Sequence, residues 1–169
     1  TPVLARTNDV DMSLASLLYS GMLKYAPHGE LVGDLAERID VSDDGKIYTA
    51  HLRMGVHWHD GEPFDADDVI FTIATIQNPA AKSPSALSFQ GVAVKKIDDR
   101  TVTFTLREPY APFLSIIPVA TVVNRRVIEP HAKDNDWGNA WLSSSGAGSG
   151  AYVPEPASYI PEKALDLKR

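Results

Sequence analysis

The spacing of apolar and polar positions changes period several times along the chain. Near the start, Leu14, Leu17 and Leu18 recur at helical spacing, with Asp11 where an N-cap would stand. Gly21, and then Tyr25-Ala26-Pro27, ends or bends that helix. The period then drops to two. Ile39 to Val41 reads as a short strand, and Ser42-Asp43-Asp44-Gly45 as a hairpin turn. Tyr48, Ala50 and Leu52 alternate with Thr49, His51 and Arg53, as a half-buried strand requires. A turn at Gly55 sets Val56 and Trp58 on one face, with His57 and His59 on the other and facing water. Asp60 to Pro63 turns again. Asp65 is an N-cap, with Asp67 and Asp68 in a first turn where negative charge favours the helix dipole. Val69, Ile73 and Ile76 form the apolar stripe of that helix, which Asn78-Pro79 stops.

Residues 80–90 are small and polar and read as a loop. Val92 and Val94 start a strand, Asp98-Asp99-Arg100 turns it, and Val102, Phe104 and Leu106 return, making a second hairpin. Pro112 stands where a short helix can begin. Asn124 to His131 reads as another, stopped by Pro130. Trp137 and Trp141, four apart, suggest a helix burying both rings. A Gly/Ser cluster marks a crossing loop or boundary near residue 146, and two strands follow, at Tyr152-Val153 and at Ala164 to Leu167. No internal repeat is visible.

Composition narrows the possibilities. The chain has 169 residues, 44% of them hydrophobic and 22% charged, which is enough for one ordinary domain with a real core. A net charge of −6 with no Lys/Arg cluster argues against nucleic acid. The lack of cysteine excludes disulfides, thiolate metal sites and cysteine nucleophiles. No apolar run reaches the roughly 18 residues of a membrane-spanning helix.

Three patterns invite a chemical reading. Gly146-Ala147-Gly148-Ser149-Gly150-Ala151 has the spacing of a dinucleotide fingerprint, but Val153-Pro154-Glu155-Pro156 cannot start the helix that must follow it. His57 and His59 would lie about 7 Å apart on one strand, short of the further ligands a zinc site needs. The acidic positions from Asp60 to Asp68 do not follow calcium-loop spacing, so capping explains them. The segment Tyr19-Ser20-Gly21-Met22 admits two readings, a helix C-cap glycine or a close approach of backbone to a ligand. Neither a catalytic residue nor a cofactor or metal is expected.

One long string of residues is more specific. It comprises Leu35-Ala36-Glu37, Ser42-x-Asp44-Gly45-x-x-Tyr48, Leu52-Arg53-x-Gly55-Val56-x-Trp58-x-Asp60-Gly61-x-Pro63-Phe64 and Ala66-x-Asp68-Val69-x-Phe71. Tyr19 to Leu23, Asp98 to Pro109 and Gly148 to Tyr152 agree in order. Together they resemble the family 5 extracellular solute-binding proteins, the peptide- and nickel-type receptors of ABC importers. Ala151 departs from the proline usual there.

The resemblance implies an α/β and α+β fold of the periplasmic-binding-protein type (class II, cluster C). First-lobe segments at 1–30 and 147–169 would flank an inserted α+β subdomain at 31–146, with the second lobe absent. It implies a non-enzymatic receptor, periplasmic or lipid-anchored at the cell surface and monomeric, that captures a small solute or peptide for a membrane permease. Tyr19, Ser20, Gly21 and Met22 would line the ligand cleft, largely through backbone. Two other readings stand beside this one: a free-standing protein interaction module built on the same subdomain, and a hydrolase using His57 or His59.

Overall fold

The computed structural model describes residues 9–134, 136–142, 148–154 and 166–169. Helix α1 (Asp9–Leu18) leads into a two-stranded hairpin, β1 (Leu23–Tyr25) and β2 (Leu31–Gly33). A four-stranded antiparallel sheet follows, made of β3 (Ala36–Val41), β4 (Ile47–Leu52), β5 (Ala93–Asp98) and β6 (Thr101–Thr105) in the order β3-β4-β6-β5. Helix α2 (Ala66–Gln77) connects its two hairpins. Short helices α3 (Phe113–Ile116), α4 (Arg125–His131) and α5 (Asn139–Leu142) come next, then the strand pair β7 (Val153–Pro154) and β8 (Leu167–Lys168). The boundary expected near residue 30 falls in the β1–β2 connection.

The two hairpins form as their periodicity dictates. Gly45 takes φ +67 in the β3–β4 turn, a conformation costly for any residue with a Cβ. Tyr48, Ala50 and Leu52 point inward from β4, and the register sets Tyr48 opposite Phe104 and Ala50 opposite Val102. All five are buried. The stripe of α2, Val69, Ile73 and Ile76, packs into the same core. Phe113 closes that core from the far end, edge-on to Tyr48 with centroids 4.9 Å apart.

Helix α2 begins with a full capping box. The Asp65 carboxylate accepts from the Asp67 N–H at 2.9 Å, and Asp68 reaches back to the Asp65 N–H at 3.2 Å. Such a cap contributes roughly 0.5–2 kcal/mol. Asn78 ends α2, and its side chain accepts from the Ala80 N–H of the next turn.

Several expectations are corrected. Asp11 lies inside α1, which is already helical at Asp9, so it is not the half-in flanking residue an N-cap must be. Residues 80–90 are not a plain loop: 3₁₀ turns at Pro79–Ala81 and Ala86–Phe89 place Phe89 fully in the core, because local i→i+3 bonds satisfy the backbone while the ring is buried. Val56 to His59 is not a strand. His57 makes an isolated bridge to Pro63, and Trp58 is buried by a tight turn in which its N–H donates to the Glu62 carbonyl. Pro130 sits inside the last turn of α4, which runs on to His131.

Trp137 is outside any helix, at φ +55, and neither tryptophan is fully buried. The Asp136 carboxylate causes this by accepting from the N–H groups of Lys133, Gly138 and Ala140, which folds the chain back before α5 starts. Trp141 instead stacks on His131, with centroids 4.5 Å apart. Of the final strand expectation, Ala164 and Leu165 lie outside the described residues, as do Gly146 and Ala147 of the glycine loop.

Candidate functional site

Helix α1 delivers the chain to Tyr19, whose N–H donates to the Ala15 carbonyl at 2.8 Å. From there the backbone is extended and runs against the buried segment Ala120–Asn124. Gly21 bridges Thr121, and the Val122 N–H donates to the Ser20 carbonyl at 3.0 Å. The Gly21 carbonyl accepts from the Leu35 N–H, and the Met22 carbonyl accepts from Asp34 and Ala36, all at 3.0 Å. The carbonyls of Ser20, Gly21 and Met22 are therefore engaged within the protein.

Gly21 is not a C-cap. It lies beyond the helix end and outside the left-handed region, bonded as extended chain. A Cβ there would meet the carbonyl oxygens of Leu23 at 3.1 Å and Pro118 at 3.3 Å. Glycine is needed for close approach, and the backbone that approaches is the protein's own. Met22, 2% exposed, and Tyr19, 9% exposed, turn into the core, while Ser20 is half-buried. Of the four, Ser20 presents the most accessible side chain.

The glycine loop closes on the same helix end. Gly150 N–H donates to the Leu18 carbonyl at 3.0 Å, and Tyr152 N–H to the Leu17 carbonyl at 3.2 Å. A Cβ on Gly148 would overlap the Leu18 carbonyl, and one on Gly150 the Leu17 carbonyl. These glycines thus let two backbones touch, and no cofactor phosphate is required to explain them.

His59 fastens this loop. Its N–H donates to the Gly148 carbonyl and its Nε2 bonds the Gly150 carbonyl, both at 2.9 Å. A carbonyl only accepts, so Nε2 carries the proton. Nδ1 is buried and has no hydrogen-bond partner among the described residues, as is true of the Ser149 hydroxyl between the two glycines. The expectation that both histidines face water is corrected for His59, which is half-buried; His57 is exposed, with Nδ1 3.0 Å from the Gly55 carbonyl. With both rings bonded to main-chain carbonyls, the two histidines serve the turn and the loop. No cluster of three or more potential metal ligands occurs among the described residues.

Asp68 is the structurally central carboxylate. It is fully buried and accepts from Trp58 Nε1 at 3.1 Å, Asp65 N–H at 3.2 Å and Arg125 N–H at 3.0 Å. Burial pushes its pKa up, and those three donors oppose the shift. Arg126 binds Asp65 at 2.6 Å and the Pro63 carbonyl at 2.9 Å, and Asn124, also fully buried, donates to Asp60 at 2.9 Å. The residue pairs Trp58–Asp68 and Asp60–Asn124 give Trp58, Asp60 and Asp68 of the signature string a structural role: they fasten α2 and α4 to the turn at 55–63. Sequence spacing could not pair Asp60 with a residue 64 positions away.

Comparison with known proteins bears on this arrangement. Residues 30–169 match the family described as "Bacterial extracellular solute-binding proteins, family 5 Middle". The dipeptide-binding protein of Escherichia coli is 44% identical over 104 residues, covering 51% of this chain and 19% of that protein. A putative ABC transporter peptide-binding protein of Brucella ovis is 32% identical over 138 residues, covering 81% of this chain and 26% of that protein. Among solved structures, NikZ from Campylobacter jejuni in complex with Ni(L-His) superposes with a TM-score of 0.87 at 27% identity, over 99% of this chain and 32% of that one. The ABC transporter substrate-binding protein CtaP from Listeria monocytogenes gives 0.87 at 28% identity, over 100% of this chain and 34% of that one. This chain spans about a fifth to a quarter of the length of the curated relatives it matches.

Proposed function

We infer the function from one premise: the chain belongs to the bacterial extracellular solute-binding proteins of family 5. Members of this family are transport receptors. The chain is part of the substrate-binding component of an ABC-type importer, which captures peptide-like or related small solutes outside the cytoplasm and hands them to a membrane permease. The observation that carries this reading is the family match across residues 30–169, joined to relatives whose names specify dipeptide and peptide binding.

Residues 1–30 and 147–169 are first-lobe segments on this reading, and 31–146 an inserted subdomain. The contacts of His59 with Gly148 and Gly150 support a firm joint between the two parts. Tyr19 to Met22 form one wall of the solute cleft. Support comes from the half-buried Ser20 side chain at the end of α1. Because the backbone acceptors there are engaged internally, the contribution of this wall is mostly shape and the Ser20 hydroxyl. The receptor works as a monomer, without cofactor or chemistry, by closing on its ligand.

Calorimetry with di- and tripeptides tests this directly. The complete receptor is expected to bind at least one peptide series saturably, whereas the 169-residue chain alone binds weakly or not at all. Tight peptide binding by the chain alone would overturn the one-wall assignment, and failure of the complete receptor across peptides and related solutes would overturn the transport reading.

A further inference from the structure

A second surface, away from Tyr19–Met22, has the makings of a ligand site. Between the turn Ala86–Phe89 and the chain that leaves β6 lies an open groove of about 470 Å³. That is a common size for small-molecule pockets, which run from roughly 300 to 1,000 Å³. Its floor consists of Val92, Leu106 and Phe113, all core residues. Its rim carries Leu87, 83% exposed, and Tyr110, 49% exposed. An apolar floor with large exposed side chains standing over it is an unusual way to leave a surface facing water.

Ser88, Gln90, Arg107 and Glu108 supply the polar lining, and Arg107 is its cation. Gly91, at φ +75, has no side chain beneath it, and Arg107 crosses that gap. Its Nε, Cδ and Cζ lie 3.6, 3.9 and 3.9 Å from where a Gly91 Cβ would be. Lys46 Nζ holds the Arg107 carbonyl from behind at 3.2 Å. The guanidinium itself makes no hydrogen bond or ion pair among the described residues. The carboxylate of the groove, Glu108, has Lys46 Nζ at 3.5 Å as its counter-ion. Arg107 is thus the uncompensated charge of the groove, a positioned cation on a chain of net charge −6.

We propose that this groove binds a small amphipathic carboxylate, an N-acylated apolar amino acid being the simplest example. The carboxylate pairs with the planar guanidinium of Arg107, which suits two parallel hydrogen bonds. The apolar side chain lies on Val92, Leu106 and Phe113, and Leu87 and Tyr110 flank it. This site goes beyond the transport cleft and does not depend on it.

The test uses N-acetyl-L-leucine and its uncharged amide, N-acetyl-L-leucinamide, titrated into the ¹⁵N-labelled chain and followed by backbone amide shifts. Expected are saturable shifts at Ser88–Val92 and Leu106–Glu108, with the amide binding about tenfold more weakly than the acid. Arg107→Gln, an exposed substitution, should weaken the acid by about tenfold while leaving the amide's affinity unchanged. Absence of saturable shifts at those amides, equal affinity for acid and amide, or an Arg107→Gln chain that binds the acid as before would each overturn the proposal.

Discussion

The indole N–H of Trp58 donates to Oδ2 of Asp68 at 3.1 Å, with the two residues 3% and 0% exposed. The same carboxylate takes the Asp65 and Arg125 N–H groups, so one side chain fastens the 55–63 turn to the first turns of α2 and α4. Asp68→Asn keeps the shape but puts two donors where acceptors are needed. It should lower stability by about 2–3 kcal/mol in urea unfolding. Trp58→Phe, which removes one donor, should cost about 1–2 kcal/mol. An Asp68→Asn chain within about 0.5 kcal/mol of the parent would remove this carboxylate from its central place.

The same carboxylate predicts a pH dependence. Burial raises the pKa of Asp68 above 3.8 despite its three donors, so the native state holds this proton more tightly than the unfolded chain does. Its stabilisation is fully present below the unfolded pKa and is lost as pH rises through the native value. The exposed Asp44, bonded by the Ser42 hydroxyl, and Asp99, bonded by Lys96, are shifted down and act in the opposite sense, but they are common to parent and variant. The stability advantage of the parent over Asp68→Asn should therefore shrink as pH rises from about 4 to 7. Urea melts at several pH values would show it, and an advantage that grows with pH would contradict the direction of the shift.

His59 and His57 should separate cleanly. His59→Ala removes the Nε2 bond to Gly150, so the amides of Gly150 and Tyr152 should exchange with deuterium about tenfold faster. His57→Ala, at an exposed side chain, should leave them unchanged. Equal exchange in the two variants would mean that the imidazole does not hold the loop.

Gly150→Ala tests the contact of loop and helix. The new Cβ would overlap the Leu17 carbonyl and lie 2.5 Å from the Leu18 carbonyl carbon, so main chain must move. A loss of about 2–4 kcal/mol is expected, with the damage centred on α1 and the β7–β8 pair. Thermal unfolding with hydrogen exchange would report it, and a loss under about 0.5 kcal/mol would show that the approach is looser than described.

Much of the fold was legible in the chain because it is set by near neighbours. The Gly45 turn, the inward set Tyr48, Ala50 and Leu52, the Asp65 cap and the stripe of α2 each depend on residues only a few positions apart. Family membership was legible for a related reason, since the string from Leu35 to Phe71 is long and nearly contiguous.

The tertiary structure decided what those residues touch. Asp68 reads as one more acidic residue in a first turn until Trp58 and Arg125, 10 and 57 positions away, are seen to enclose it. His59 reads as a surface histidine until Gly150, 91 positions on, comes within 2.9 Å. Phe89 sits in what reads as a polar loop, yet it is core. At Tyr19 to Met22 the sequence left the role of Gly21 open between two readings, and only the fold decided that the backbone approaching it is that of Leu23, Pro118 and Ala120. Periodicity and capping are local properties of a chain. Burial and the pairing of distant polar groups arise only when segments far apart in sequence exclude water from the same place.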